Sequence, residues 1–220
     1  MSTDKKYGII ADIHANYVAL RGVLNYLNGE GVDKILCLGD LVAYGDEPFK
    51  CIDAIRDTPN AVVIAGDYDR MVVGHPDPRL HGRAKETITF TAENISAEHA
   101  SYLRGLPDKA NVDDRIVMVH DSIMGDGSYI LSPQEVGKNL EAFVSQYPDY
   151  SFCFFGHTHL PVLIGTDSVV TDLSEGKQIQ LSPEEKYLIN PGSVGDSRRA
   201  AFAILDTAHL TIDFMRVGFG

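Results

Sequence analysis

Five short apolar runs in this chain end in residues that bind metals. Ile9-Ile10-Ala11 leads into Asp12-Ile13-His14, and Leu36-Cys37-Leu38 into Gly39-Asp40. Ile64-Ala65 leads into Gly66-Asp67-Tyr68-Asp69, Val117-Met118-Val119 into His120-Asp121, and Phe154-Phe155 into Gly156-His157-Thr158-His159. Carboxylate and imidazole together suit first-row divalent ions such as Mn, Fe, Zn or Ni. Asp12, His14, Asp40, Asp67, His120, His157 and His159 are too many for one tetrahedral centre. They fit two ions that share a bridging carboxylate. Two ions about 3.5–4 Å apart can clamp the attacking and leaving oxygens of a phosphoryl displacement. A lone Asp-x-His is ordinarily a turn with a satisfied histidine, and a lone Gly-Asp is a common turn. It is the recurrence at five strand ends that points to one shared crevice.

The elements that position these residues alternate early in the chain. Strands are expected at 7–11, 35–38 and 61–65, with helices at 16–28 and 48–57. Residues 74–83, rich in Gly, Pro, His and Arg, read as a loop. Helical segments follow, ending near Gly105 and Pro107. A strand at 115–119 is expected to pair with 109–113 through Asp113-Asp114. Ser132-Pro133-Gln134-Glu135 is a capping box. It opens a helix with Val136, Leu140, Phe143, Val144 and Tyr147 on one stripe. A strand at 152–155 and a β-rich tail ending in 200–206 and 209–217 complete the pattern. The expectation is one α/β domain over residues 1–220 with more than one sheet.

The chain has 220 residues and a formal net charge of −12. That balance argues against binding long nucleic acid by phosphate neutralisation. It leaves room for a small phosphorylated ligand, because bound metal inverts the local field. No apolar run approaches the roughly 20 residues of a membrane span, and the run before Asp12 is too short for a signal-peptide core. Cys37, Cys51 and Cys153 sit among apolar neighbours and read as reduced packing residues, so a cytoplasmic location is expected. No Gly-x-Gly-x-x-Gly turn follows the first strand, which argues against a dinucleotide-binding domain.

Taken together, the motifs resemble the calcineurin-like metallophosphoesterases, in their small single-domain bacterial and archaeal branch. Asp12-x-His14, Gly39-Asp40, Gly66-Asp67-Tyr68-Asp69, His120 and Gly156-His157-Thr158-His159 carry the resemblance. Asn190-Pro-Gly-Ser-Val-Gly195 looks like that branch's tail motif. The resemblance implies two mixed β-sheets packed as a sandwich flanked by helices, in four layers αββα. It implies that Asp12, His14, Asp40 and His159 hold one ion, that Asp40 bridges, and that Asp67, His120 and His157 complete the second. Asn16 stands where the family has an Asn after Asp-x-His-Gly, although Ala15 replaces the glycine.

The third motif departs from the family's Gly-Asn-His-Asp/Glu. Asp67 replaces a ligating Asn, so two ions, three carboxylates and a bridging hydroxide sum to neutral instead of +1, which weakens the pull on phosphate. Tyr68 replaces a His, and a phenol of pKa about 10 is a poor proton donor near neutrality. Tyr68 either packs over the site mouth or donates to substrate. His75 and His81 either substitute as acids or are solvated. Arg70, Arg79 and Arg83 either contact phosphate or lie in water, as do Arg198 and Arg199. The expected activity is a binuclear phosphoesterase in which a metal-bridging hydroxide attacks phosphorus and Asp69 orients Tyr68. Its substrate would be a small phosphodiester, phosphomonoester or phosphoanhydride, nucleotide-like, with anhydrides favoured. The alternative is a metal-binding relative that recognises a nucleotide or partner protein without turnover.

Overall fold

The computed structural model of the chain describes residues 4–74, 77–78, 80–170, 173, 176–196 and 199–218. Strands β1 (Lys6–Ile10), β2 (Lys34–Cys37) and β3 (Ala61–Val63) alternate with helices α1 (Tyr17–Gly29) and α2 (Pro48–Arg56). Helices α3 (Asp67–Val72), α4 (Gly82–Asn94) and α5 (Ala97–Gly105) follow. Next come β4 (Lys109–Val112), β5 (Ile116–Val119), α6 (Pro133–Gln146) and β6 (Phe152–Phe154). The tail is all strand: β7 (Val162–Gly165), β8 (Val169–Val170), β9 (Lys177–Gln180), β10 (Tyr187–Asn190), β11 (Arg199–Asp206) and β12 (Thr211–Gly218).

The strands form two mixed six-stranded sheets, ordered β3-β2-β1-β11-β12-β9 and β4-β5-β6-β10-β7-β8. In the first, β1, β2 and β3 are parallel and β11 joins β1 antiparallel. In the second, β5, β6 and β10 are parallel.

Period-two alternation sorts the core. Ile9 of β1 faces the second sheet with Leu36, Met118, Phe154 and Ile189. Ile10 faces the opposite way, onto Leu20, Val23, Leu27 and Ile52 of α1 and α2. Phe143 of α6 packs on Val117, Phe155 and Leu188 of the second sheet. The result is the four-layered sandwich implied by the motifs.

Three local expectations change. Residues 82 and 83 begin α4 instead of ending the loop. Val144 is 41% exposed, because the buried side of α6 is set by Phe143, and its neighbour is turned about 100° away. Ser132 caps α6 by accepting from the Glu135 amide at 3.2 Å, whereas the Glu135 carboxylate pairs with Lys138.

The β4–β5 turn locks the sheets together. Asp113 and Asp114 have φ of 49° and 52°, a left-handed pair at the centre of the turn that Arg115 N closes by donating to Val112 O at 3.3 Å. The Asp113 carboxylate accepts from Tyr7 Oη at 2.8 Å, Lys5 Nζ at 2.8 Å and Lys34 Nζ at 2.9 Å, all from the first sheet's side. Burial pushes its pKa up, but the hydrogen bonds from Lys34, Lys5 and Tyr7 outweigh burial and hold it below the usual range. The folded pKa is thus depressed, so this stabilisation is full above the unfolded value near 4 and fades as pH falls below it. Asp113→Asn is expected to cost about 1 kcal/mol at pH 7. In urea denaturation across pH, the difference from the parent should shrink below about pH 4.

Cys37, Cys51 and Cys153 are all buried free thiols. Burial pushes Cys37 and Cys153 up to about 12, which removes the thiolate that thiol chemistry needs. Each Cys→Ala variant should lose about 1 kcal/mol through its cavity, while its metal content and turnover per folded chain stay at the parent level. Elemental analysis and assay of the folded variants check this.

Candidate metal centre

The seven predicted ligands converge at the carboxyl ends of β1, β2, β3, β5 and β6. Backbone hydrogen bonds zip the loops to one another. Asp12 N donates to Gly39 O at 3.1 Å, His14 N to Asp40 O at 2.9 Å and Ala15 N to Leu41 O at 2.9 Å. At Gly66 a Cβ would run into the Asp40 carboxylate, so this glycine lets the β2 and β3 loops touch. Five of the seven, Asp12, His14, Asp40, His157 and His159, have φ between 50° and 64°. Such left-handed non-glycine residues are strained and concentrate at functional sites.

The donor atoms form three overlapping groups, each spanning no more than 4.8 Å: Asp12–His14–His159, Asp12–Asp40–His120 and Asp67–His120–His157. Backbone carbonyls fix two of the imidazoles. His14 Nδ1 faces Val42 O at 3.2 Å and His120 Nδ1 faces Leu38 O at 2.6 Å. Each Nδ1 therefore carries the proton, and each Nε2 offers a lone pair to the site. His14 Nε2 lies 2.9 Å from His159 Nε2. His120 Nε2 is buried without a hydrogen-bond partner, 3.3 Å from Asp40 Oδ2. His157 Nε2 is likewise buried and unpartnered, with its Nδ1 3.1 Å from Asp67 Oδ2.

An imidazole lone pair aimed at a carboxylate, or at another unprotonated nitrogen, is repelled. A proton relieves one such pair, whereas a divalent cation relieves a whole group. The arrangement thus fits metal, and its mixed imidazole–carboxylate donors fit first-row ions. The same crowding appears in the proton affinities. Burial pushes His14 down. Burial opposes the charged form of His120, yet Asp40, Asp12 and Asp67 raise it well above the ordinary value.

The tail motif buttresses this centre from behind. Asn190 Nδ2 donates to Gly156 O at 2.6 Å and to Thr158 Oγ1 at 3.1 Å. Ser193 Oγ and Gly195 N both donate to Asp12 O at 2.8 Å.

Other expectations take different forms. Asp69 does not orient Tyr68. Its carboxylate accepts from Leu41 N and Gly66 N at 3.0 Å each, holding the β2 and β3 loops. Adjacent residues of a helix diverge by about 100°, so Asp69 points inward and Tyr68 toward the mouth. Burial and then Asp40 push the Asp69 carboxyl up to about 7. Tyr68 instead pairs with Tyr44, hydroxyl to hydroxyl at 2.7 Å, and burial followed by that bond raises its pKa above the ordinary value.

Asn16 caps α1, accepting from Ala19 N at 3.1 Å, instead of lining the cleft. Arg70 donates to Asp108 at 2.6 Å and to Leu106 O at 2.5 Å, at a small pocket of about 150 Å³ behind Asp67 and His120. Leu103 O and the Asp108 carboxylate also accept from the rest of its guanidinium. His81 and Arg83 line the main cleft. Arg83 pairs with Asp46 at 2.5 Å, and Arg199 opens β11. His75, Arg79 and Arg198 lie outside the described residues.

The cleft over the centre has a volume of about 910 Å³. Two of its residues, Tyr44 and Tyr129, have no counterpart in the sequence reading. The Tyr129 ring lies 4.0 Å from that of His157, and the Tyr44 ring 5.0 Å from that of His14.

The family model described as the calcineurin-like phosphoesterase superfamily domain matches residues 6–210. The chain belongs to this superfamily. An uncharacterized protein of Methanocaldococcus jannaschii is 32% identical over 224 residues, spanning 96% of this chain and 86% of the relative. A crystal structure of a metallophosphoesterase from Sphaerobacter thermophilus superposes with a TM-score of 0.83 at 31% identity, covering 98% of this chain and 89% of that one. A protein of Pyrococcus horikoshii shares the fold, with a TM-score of 0.75 at 23% identity over 98% and 88% of the two chains. Superfamily membership and the candidate ligand groups together support a metal-dependent phosphoesterase. Among the described residues no helix is long and apolar enough to cross a membrane.

Proposed function

We propose that the chain is a binuclear phosphoesterase, one domain over its 220 residues, acting in the cytoplasm on a small nucleotide-like phosphodiester, phosphomonoester or phosphoanhydride. Asp12, His14, Asp40 and His159 would hold one divalent ion, and Asp67, His120 and His157 would complete the other, with Asp40 serving both. The carrying observation is the pair of buried, unpartnered Nε2 atoms of His120 and His157, each imidazole beside a carboxylate, with the His14 and His159 Nε2 atoms 2.9 Å apart at the same centre. In such a site divalent ions polarise phosphoryl oxygens and make a nucleophile available near neutral pH.

The chain's own residues do the rest. Val42 and Leu38 carbonyls keep two imidazoles in the ligating tautomer. Asp69 holds the loops in register. Within the Tyr44–Tyr68 pair one hydroxyl donates to the other, which leaves one O–H to reach the substrate's leaving oxygen. A phenol serves that oxygen poorly, which favours leaving groups that are stable unprotonated, phosphoanhydrides among them.

The test is hydrolysis of p-nitrophenyl phosphate and bis(p-nitrophenyl) phosphate with Mn²⁺ added or chelated, and with Asp40→Asn as the control. Turnover that needs both the metal and Asp40 supports the proposal. A folded, metal-loaded chain that turns over neither ester supports the binding-only alternative.

A further inference from the structure

The cleft has a wall that the metal centre does not use. Tyr129 sits in the loop between β5 and α6, and that loop is firmly built. Ser122 Oγ donates to Asp126 at 2.6 Å, Ile123 N to Asn139 Oδ1 at 2.9 Å and Ser128 N to Asp126 at 3.1 Å, and Gly127 N bonds the Asp121 carboxylate. One side of the Tyr129 ring rests on His157, tilted by 32°. The residue is nevertheless 54% exposed, on the cleft. Tyr44 and Tyr68 supply phenol rings to the same cleft.

Charge offers little grip there. Among the described residues Arg83 is the arginine that lines the cleft, and it is engaged by Asp46 and by Tyr44 O. The third carboxylate, Asp67, further reduces the attraction for an anion. Beside the metal ligands the cleft presents three phenol rings, Tyr44, Tyr68 and Tyr129, among other polar and apolar side chains.

We propose that Tyr129 is a stacking platform for an aromatic ring carried by the substrate, a nucleobase or aryl group, so that the site selects aromatic over aliphatic phosphoesters. The inference rests on the phosphoesterase reading, because His157 beneath Tyr129 belongs to the group that would hold the phosphoryl end. A ring stacked on Tyr129 therefore lies one side chain away from the reacting phosphorus. Stacking is tolerant of ring identity, since every aromatic ring has a π-face, so the preference is for a chemical class.

Phosphonates separate this from catalysis, because their C–P bond resists hydrolysis. Calorimetry on the metal-loaded chain would compare methylphosphonate, benzylphosphonate and cyclohexylmethylphosphonate. Benzylphosphonate should bind up to about tenfold tighter than methylphosphonate, with the cyclohexyl compound clearly weaker than the benzyl one. The benzyl-to-methyl ratio should collapse toward unity in Tyr129→Leu and persist in Tyr129→Phe. Equal benzyl and methyl affinity in the parent, cyclohexyl matching benzyl, or a ratio that survives Tyr129→Leu would overturn the proposal. Assay of p-nitrophenyl phosphate in parallel tells the two readings apart. Turnover without benzyl preference removes only the stacking role. Benzyl preference without turnover upholds stacking and removes the phosphoesterase reading. Failure of every phosphonate to bind removes both.

Discussion

Asp40→Ala is expected to strip metal from the chain and to lower turnover by about 10³-fold or more. Lewis-acid stabilisation by bound ions amounts to several kcal/mol of barrier, and each 1.4 kcal/mol is about tenfold in rate. Asp40 is buried, with Oδ2 toward His120 and Oδ1 accepting from Tyr68 N at 2.9 Å. Asp40→Asn keeps an acceptor for that amide while deleting the charge, so it separates metal loss from loop collapse. Both variants should lose more metal than His14→Ala, since Asp40 is proposed to serve both ions and His14 only one. Metal content per folded chain and kcat on p-nitrophenyl phosphate are the readouts. An Asp40→Asn chain that keeps its metal and its rate would remove Asp40 from the centre.

Tyr68→His is expected to change which substrates the enzyme favours. With tyrosine at this position, the rate should depend steeply on leaving-group pKa, with aryl phosphates and phosphoanhydrides fast and alkyl esters slow. A histidine titrates near neutrality and would protonate an alkoxide, raising alkyl-ester rates within the roughly 10²–10⁴ that general acid catalysis contributes. Aryl esters should change little. Tyr68→Phe should lower the rate only if the phenol donates in the transition state, and it also deletes the bond to Tyr44. The measurement is a leaving-group series across the parent and both variants at fixed metal loading. A flat series in the parent would assign the proton to another group, such as His81 at the cleft wall.

The strand ends were readable because each apolar run stops abruptly at Asp or His, and a buried strand end is where such residues must serve a site. Asp12, His14, Asp40, Asp67, His120, His157 and His159 all meet for that reason. The carbonyls of Val42 and Leu38 were invisible, since backbone groups leave no mark in side-chain spacing. Tyr44 and Tyr129 were missed because only the convergence of separate loops brings them to the metal ligands. Their local surroundings, Ala43-Tyr44-Gly45 and Ser128-Tyr129-Ile130, look like ordinary loop. Helix α3 was hidden because half of its six residues are the third motif itself, too short for an apolar stripe. Asn16 and Arg70 stand beside the motifs in sequence, and in the fold Asn16 caps α1 and Arg70 pairs with Asp108.

The most direct test of the centre is its stoichiometry. The chain, stripped with chelator and reconstituted with excess Mn²⁺, would be freed of unbound ion and its metal measured by elemental analysis against protein concentration. Seven donors in three overlapping groups predict a plateau at two ions per chain. A plateau at one ion, or at none, would contradict the binuclear centre.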